Sequence, residues 1–312
     1  MKSLIPLLLL GFWFIGAGRF LAAQSRENPT NRQEARGIEK KPVTLRVNVW
    51  DQENNVVTGL QQQSFEVDEN GARQTITSFT AVDEPLTLGI LLDVSKSQKK
   101  HIAASLEAVK TFILAGNPDN QVFLVSFGKG VRLAVDFTSR ELLLKQLAAP
   151  ELEMKSKVYD AVTFGLQKAA QGRYAKRALL LVTDGQESGS EVSYRKLMRL
   201  VKESDVQIYC LGVGNTSSNE GIVPGDYWLG SMLLKEMSDM TGGGTYLKDK
   251  PEQVKRGSEI FAAYLRHQYK IIYFSTNQTG TKKWRRIKVR VSASTGTTEL
   301  RCNARQGYYP SP

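Results

Sequence analysis

An apolar run ends abruptly in oxygen-bearing side chains in Leu86-Thr-Leu-Gly-Ile-Leu-Leu-Asp-Val-Ser-Lys-Ser97, where Asp93, Ser95 and Ser97 alternate. If the chain stays extended there, period-two alternation turns all three toward one point just past the strand's carboxyl end. A carboxylate and two hydroxyls are hard oxygen donors. They suit Mg²⁺ or Mn²⁺ rather than zinc or copper. Two further oxygens stand in comparable places: Asp184 closes the run Ala178-Leu-Leu-Leu-Val-Thr, and Ser156 lies in Met154-Lys-Ser-Lys-Val, a loop that leads into a helix.

For these side chains to meet, the intervening segments must form a sheet that aims its carboxyl ends at one place. Apolar strands are expected at 86–93, 121–127, 177–183 and 206–213, with a short one at 245–247. Helices are expected at about 98–115, 139–148, 158–171, 192–204, 229–240 and 251–267. In the first, Ile102, Leu106, Val109 and Ile113 recur at helical spacing. Strands alternating with amphipathic helices imply right-handed crossovers and a doubly wound, mostly parallel sheet. Val131 to Phe137 reads as its antiparallel edge. Such sheets bind ligands outside the carboxyl ends of their strands, where the three loops bearing Asp93, Ser156 and Asp184 are expected.

The flanks have a different period. Val43, Leu45, Val47 and Val49 alternate with polar residues, and 64–68 and 74–79 are further strands joined through the hairpin signal Glu69-Asn-Gly71. After Gln268, strands are expected at 269–274, 284–291 and 298–304. Neither flank has enough strands to be stable alone. The economical arrangement is one small β-sandwich, made of 43–84 and 268–312, carrying the α/β segment 85–267 as an insertion. In the second C-terminal strand Arg286, Lys288 and Arg290 face away from Ile287, Val289 and Val291, and this basic ladder reads as a solvated face. Upstream, Lys2, the apolar Leu4 to Ala17 and the small residues Leu21-Ala-Ala23 make 1–23 a secretory signal peptide, followed by a polar linker over 24–42. Export to the periplasm, cell surface or medium is the expectation, with no transmembrane helix in the mature chain.

A formal charge of +11 favours acidic partners, but no nucleic-acid motif accompanies it. The two cysteines, Cys210 and Cys302, each sit in a strand pattern and read as separate buried thiols. An enzyme is not supported. The chain holds only His101 and His267, no Gly-x-Ser-x-Gly elbow and no phosphate-cradling loop, and Gly242-Gly-Gly244 follows a helix and reads as its C-terminal cap.

Asp93-Val-Ser-Lys-Ser97 resembles the Asp-x-Ser-x-Ser motif of von Willebrand factor type A domains, and Val182-Thr-Asp-Gly185 resembles their later aspartate loop. Val56-Val-Thr-Gly-Leu60, Phe65 to Gly71, Leu265 to Tyr269 and Gly307-Tyr-Tyr309 are similar to segments of a bacterial subgroup of exported proteins carrying that domain. The resemblance implies a metal-ion-dependent adhesion site that binds Mg²⁺ or Mn²⁺ through Asp93, Ser95, Ser97, Ser156 and Asp184, the last directly or through water. With few anionic ligands the ion would draw in a carboxylate from a protein partner. Where the family usually has Gly-Gly-Thr, this chain has Met154-Lys155-Ser156. Lys155 and Lys157 flank the hydroxyl and, with Lys96, Lys99 and Lys100, make a basic rim around the site. The competing expectation is a structural module whose metal site is degenerate and whose β-sandwich makes the contacts.

Overall fold

Alternation of Val43, Leu45, Val47 and Val49 buries one face of β1 (Val43–Trp50), and that face is the centre of an all-β layer. The computed structural model describes residues 41–213, 225–248, 250–277, 282–292 and 299–310. The expected signal peptide and nearly all of the linker lie outside them. After β1 come β2 (Phe65–Glu69), β3 (Ala72–Gln74) and β4 (Ile76–Thr80). The C-terminal flank supplies β11 (Tyr269–Tyr273), β12 (Arg285–Val291), β13 (Arg301–Asn303) and β14 (Gly307–Tyr308). These strands sort into two antiparallel sheets, ordered β13-β1-β11-β4 and β14-β12-β2-β3. Each sheet mixes the flanks, with Val47 opposite Tyr269 and Val67 opposite Val289. Val43, Leu45, Val47, Phe65, Val67, Tyr269, Ile271, Tyr273 and Ile287 fill the space between them.

The middle of the chain is the α/β body. Its strands are β5 (Thr87–Asp93), β6 (Gln121–Phe127), β7 (Val131–Ser139), β8 (Arg177–Thr183), β9 (Gln207–Val213) and β10 (Gly244–Lys248). Its helices are α1 (Ile102–Ala115), α2 (Arg140–Gln146), α3 (Val158–Ala169), α4 (Tyr194–Glu203), α5 (Gly225–Thr241) and α6 (Pro251–Arg266). The sheet order is β10-β9-β8-β5-β6-β7, parallel except for β7 at the edge. Every residue of β5 is buried, as a strand covered on both faces requires. Leu88, Ile90 and Leu92 face α1 and α6, while Leu91, with Leu179 and Leu181, faces α3, α4 and α5. This is the mixed α/β class expected, a mostly parallel sheet with an accompanying β-sandwich.

Body and sandwich meet at the amino-terminal edge of the parallel strands. There Gln268 Nε2 donates to Asn48 Oδ1 at 3.1 Å, Gln207 Oε1 at 2.9 Å and Tyr209 Oη at 3.3 Å. Asn48 Nδ2 also reaches the carbonyl of Gly242. Nearby, Glu84 pairs with both Arg46 and Lys270, and Arg266 with Asp83. Lys176, 3% exposed, donates to the carbonyl of Leu265 in the last turn of α6, where the helix dipole favours a cation. Burial pushes its ammonium down to about 8. On the sandwich surface Arg290 of the expected basic ladder pairs across strands with Glu66 and Asp68, which Arg73 also reaches. Both cysteines are free.

Candidate functional site

Asp93 is the last residue of β5, and the register of β5 with β8 sets Leu92 beside Val182, so both strands end at the same height. The Asp93 side chain is 1% exposed. Its Oδ2 accepts from Ser156 Oγ at 2.9 Å and from Thr183 Oγ1 at 2.6 Å, and its Oδ1 accepts the Ser95 amide at 2.9 Å. Ser95 Oγ and Ser97 Oγ lie 2.9 Å apart. The extended backbone of Ser95, φ −68° and ψ 157°, keeps its side chain in line with Asp93 before the chain tightens into a 3-10 turn at Lys96–Lys100. Four expected residues therefore share one hydrogen-bonded cluster, and Thr183 joins them. Asp184 follows Thr183 directly and lies close enough for its charge to act on Asp93. Its Oδ1 accepts the Gln186 amide, which folds the loop after β8 back on itself.

Thr183 was not among the candidates. The signal was present: a hydroxyl residue ending an apolar run beside Asp184, on the strand that flanks the one ending in Asp93.

Burial is the largest influence on Asp93 and raises its pKa to about 6; the hydroxyls of Thr183 and Ser95 oppose this, and the nearby Asp184 adds to it. An ionised carboxylate here is under-compensated by its neutral donors. Among the described residues there is no group of three or more His, Cys, Asp or Glu side chains able to hold a metal. A cation at this point would therefore rely on two carboxylates plus the hydroxyls of Ser95, Ser97 and Ser156. That donor set is hard and oxygen-only, which fits Mg²⁺ or Mn²⁺.

The loops are fastened to each other. Ser156 and Ser188 exchange hydrogen bonds, Ser156 N to Ser188 Oγ at 2.9 Å and Ser188 N to Ser156 O at 2.8 Å. Glu187 accepts the Tyr159 amide in the first turn of α3, a carboxylate where the helix dipole favours one. Asp160, in the same turn, accepts the amides of Glu191 and Val192. Glu153 ties a further connection in. Its backbone bridges Val94 and Lys96, while its side chain accepts the amides of Lys129 and Gly130 and pairs with Arg132. Gly128 lies so close that an added β-carbon would sit 2.9 Å from that of Glu153.

The rim lysines separate into two kinds. Lys157 is 3.1 Å from Glu191 and 3.5 Å from Asp160, and the Glu191 contact holds its ammonium above the ordinary lysine range. Its charge is committed. Lys96, Lys99, Lys100 and Lys155 are exposed. Lys155 occupies the left-handed region, φ 69°, where a glycine would be unstrained. Its side chain lies along Gly189, with Nζ 3.5 Å from where a β-carbon there would stand, and it makes no ion pair with Asp93 or Asp184.

The family model of the von Willebrand factor type A domain matches residues 88–223, a segment containing every residue of this cluster. Residues 88–223 of the α/β body thus carry the von Willebrand factor type A domain match. An uncharacterised protein of Borreliella burgdorferi is 27% identical over 178 residues, which are 50% of this chain and 52% of that protein. The chain thus spans about half the length of this curated relative. Among solved structures, a von Willebrand factor type A protein from Catenulispora acidiphila is 11% identical, covers 87% of this chain and 75% of its own, and superposes with a TM-score of 0.49. Proximal thread matrix protein 1 of the mussel byssus, solved with a zinc-occupied MIDAS motif, is 16% identical, with coverages of 59% and 49% and a TM-score of 0.45.

Proposed function

We propose that this chain is a binding module, not an enzyme, that captures an acidic group of a protein partner at a divalent-cation site formed by Asp93, Ser95, Ser97, Ser156 and Asp184. The observation that carries the reading is the buried Asp93 carboxylate, ringed by neutral hydroxyls at a sheet's carboxyl edge and short of positive charge. Bound there, Mg²⁺ or Mn²⁺ would keep an open coordination position for an outside carboxylate. The chain's own part is orientation. Thr183 and Ser156 fix Oδ2 of Asp93, the Ser95 amide fixes Oδ1, and the Ser156–Ser188 pairing holds the second loop in place.

Hydrolytic chemistry lacks support, since the His101 and His267 side chains make no hydrogen bond to a nucleophile among the described residues. In this reading residues 85–267 bind, and 43–84 with 268–312 form the base that carries them. The segment 1–23 directs export. No helix among the described residues is long and apolar enough to cross a membrane.

Titration calorimetry with Mg²⁺ and Mn²⁺ on the wild type and on Asp93→Ala tests the proposal. Binding heat in the wild type that disappears in the variant is expected. An absence of heat in the wild type would sink it.

A further inference from the structure

The connections around Asp93 do not carry the same charge. On the β5 and β6 side, residues 94–101 and 128–132 contain Lys96, Lys99, Lys100, Lys129 and Arg132 and not one Asp or Glu. The four lysines are exposed. On the β8 side, residues 184–193 contain Asp184, Glu187 and Glu191 and not one Lys or Arg. Because β5 lies between β8 and β6, the two groups flank the Asp93 cluster from opposite directions. Two cations reach the acidic side from the preceding loop: Lys157, which pairs there with Glu191 and Asp160, and the exposed Lys155, whose side chain lies along Gly189.

The basic side is also held in shape. Glu153 bonds to the backbone of the Lys96 loop and to the amides of the Lys129 turn, so those two lysines are presented by one fastened unit. Phe127 O accepts the Val94 amide and strengthens the same junction.

We infer that the partner is an extended acidic protein segment, with further Asp or Glu residues on one side only of its coordinating carboxylate. That acidic arm lies over Lys96, Lys99, Lys100 and Lys129. An acidic arm on the other side would meet Glu187 and Glu191, whose charge Lys157 and Lys155 offset only in part, and would gain nothing there. The inference rests on the cation-site reading above and adds to it the charge pattern that the partner must carry.

The test uses fluorescein-labelled peptides with a central Asp in a Gly/Ser background, bearing a Glu arm on neither side, on one side or on both. Binding to the full chain is read by anisotropy in Mg²⁺. The one-armed peptide is expected to bind about tenfold tighter than the armless one, several exposed charge pairs acting together. A second arm adds nothing. The one-arm gain disappears in the Lys96→Gln/Lys129→Gln variant and in about 1 M salt, and the second arm begins to contribute in Glu187→Gln/Glu191→Lys. Equal gains from each arm, or no gain from the first, overturn the inference while leaving the cation site standing. If no peptide binds in Mg²⁺ beyond its level in EDTA, the cation-site reading fails as well.

Discussion

Thr183 Oγ1 donates to Oδ2 of Asp93 across 2.6 Å, from the strand beside the one that ends in Asp93. One carboxylate oxygen is thereby satisfied from within the sheet. The side chain keeps a fixed direction at the point where the loops converge. Thr183→Val keeps the shape and removes the donor, and it also frees the Gly185 amide, which bonds to the same hydroxyl at 3.1 Å. We expect a folded protein whose Mg²⁺ affinity falls about tenfold, the equivalent of one charge-assisted hydrogen bond. Calorimetry beside the wild type checks it; an unchanged affinity would show that Ser156 and the Ser95 amide suffice to orient the carboxylate.

On the proposed reading, protons and cations compete for Asp93. Its folded pKa, about 6, lies above the ordinary 3.8, so the folded chain takes up a proton before the unfolded chain does. Without a divalent ion the charged form destabilises the fold above that pKa, by an amount of the order of 3 kcal/mol. The penalty is relieved as pH falls through about 6 toward about 4. In EDTA, Asp93→Asn is therefore expected to be more stable than the wild type near neutral pH and to lose that advantage in acid. Mg²⁺ binding by the wild type weakens over the same window. Urea unfolding of both proteins across pH decides the point, and a difference that does not vary with pH would refute it.

Glu69 holds the sandwich through a buried ion pair. At 2% exposure it accepts from Tyr273 and Tyr308 Oη, each at 2.9 Å, from Ser275 Oγ at 2.6 Å and from Arg285 at 3.3 Å. Glu69→Gln removes the buried carboxylate that pairs with Arg285 and accepts from both tyrosines, and a loss of about 3–5 kcal/mol is expected in thermal unfolding. Arg285→Met in the same background should recover part of it, since neutral groups then stand where the buried ion pair stood.

Lys155 lies at φ 69°, outside the comfortable range of a side chain with a β-carbon. Lys155→Gly is expected to stabilise the protein by about 0.5–1 kcal/mol, the relieved strain exceeding the added freedom of the unfolded chain. Mg²⁺ affinity should stay within about twofold, because the lysine lies along Gly189 and not on a carboxylate. A marked gain in affinity would mean that the ammonium does compete for the site.

Period and burial made the α/β body legible. Strands with two covered faces, such as Thr87–Asp93 and Arg177–Thr183, read as unbroken apolar runs, and the antiparallel edge expected over Val131 to Phe137 is found at Val131–Ser139. The hydroxyl-and-carboxylate tip of Leu86–Ser97 was equally plain. Less was legible where one residue serves two sheets. The single strand expected over 74–79 is divided at Thr75, with Ala72–Gln74 in one sheet and Ile76–Thr80 in the other, and no local period announces a change of partner. Glu69 read as part of a hairpin turn because a carboxylate before Asn-Gly suggests solvent. Its burial depends on Tyr273, Ser275, Arg285 and Tyr308, residues that a local reading cannot bring together. Likewise the commitment of Lys157 to Glu191 follows from how the loop after β8 folds over the first turn of α3, and a charge count alone would have left it free.

Val47 lies opposite Tyr269, and Val49 opposite Cys302. A ribosome has therefore delivered the whole α/β body before the first strand meets either neighbour. Closing so long a loop is slow unless the intervening chain has already shortened it by folding. The parallel body can assemble from crossovers between near neighbours in sequence, and its completion brings Asp83 and Arg266 within 2.8 Å of each other. Vectorial synthesis thus leaves β1 waiting as an unpaired edge, and the β-sandwich is the last part of the described fold to close.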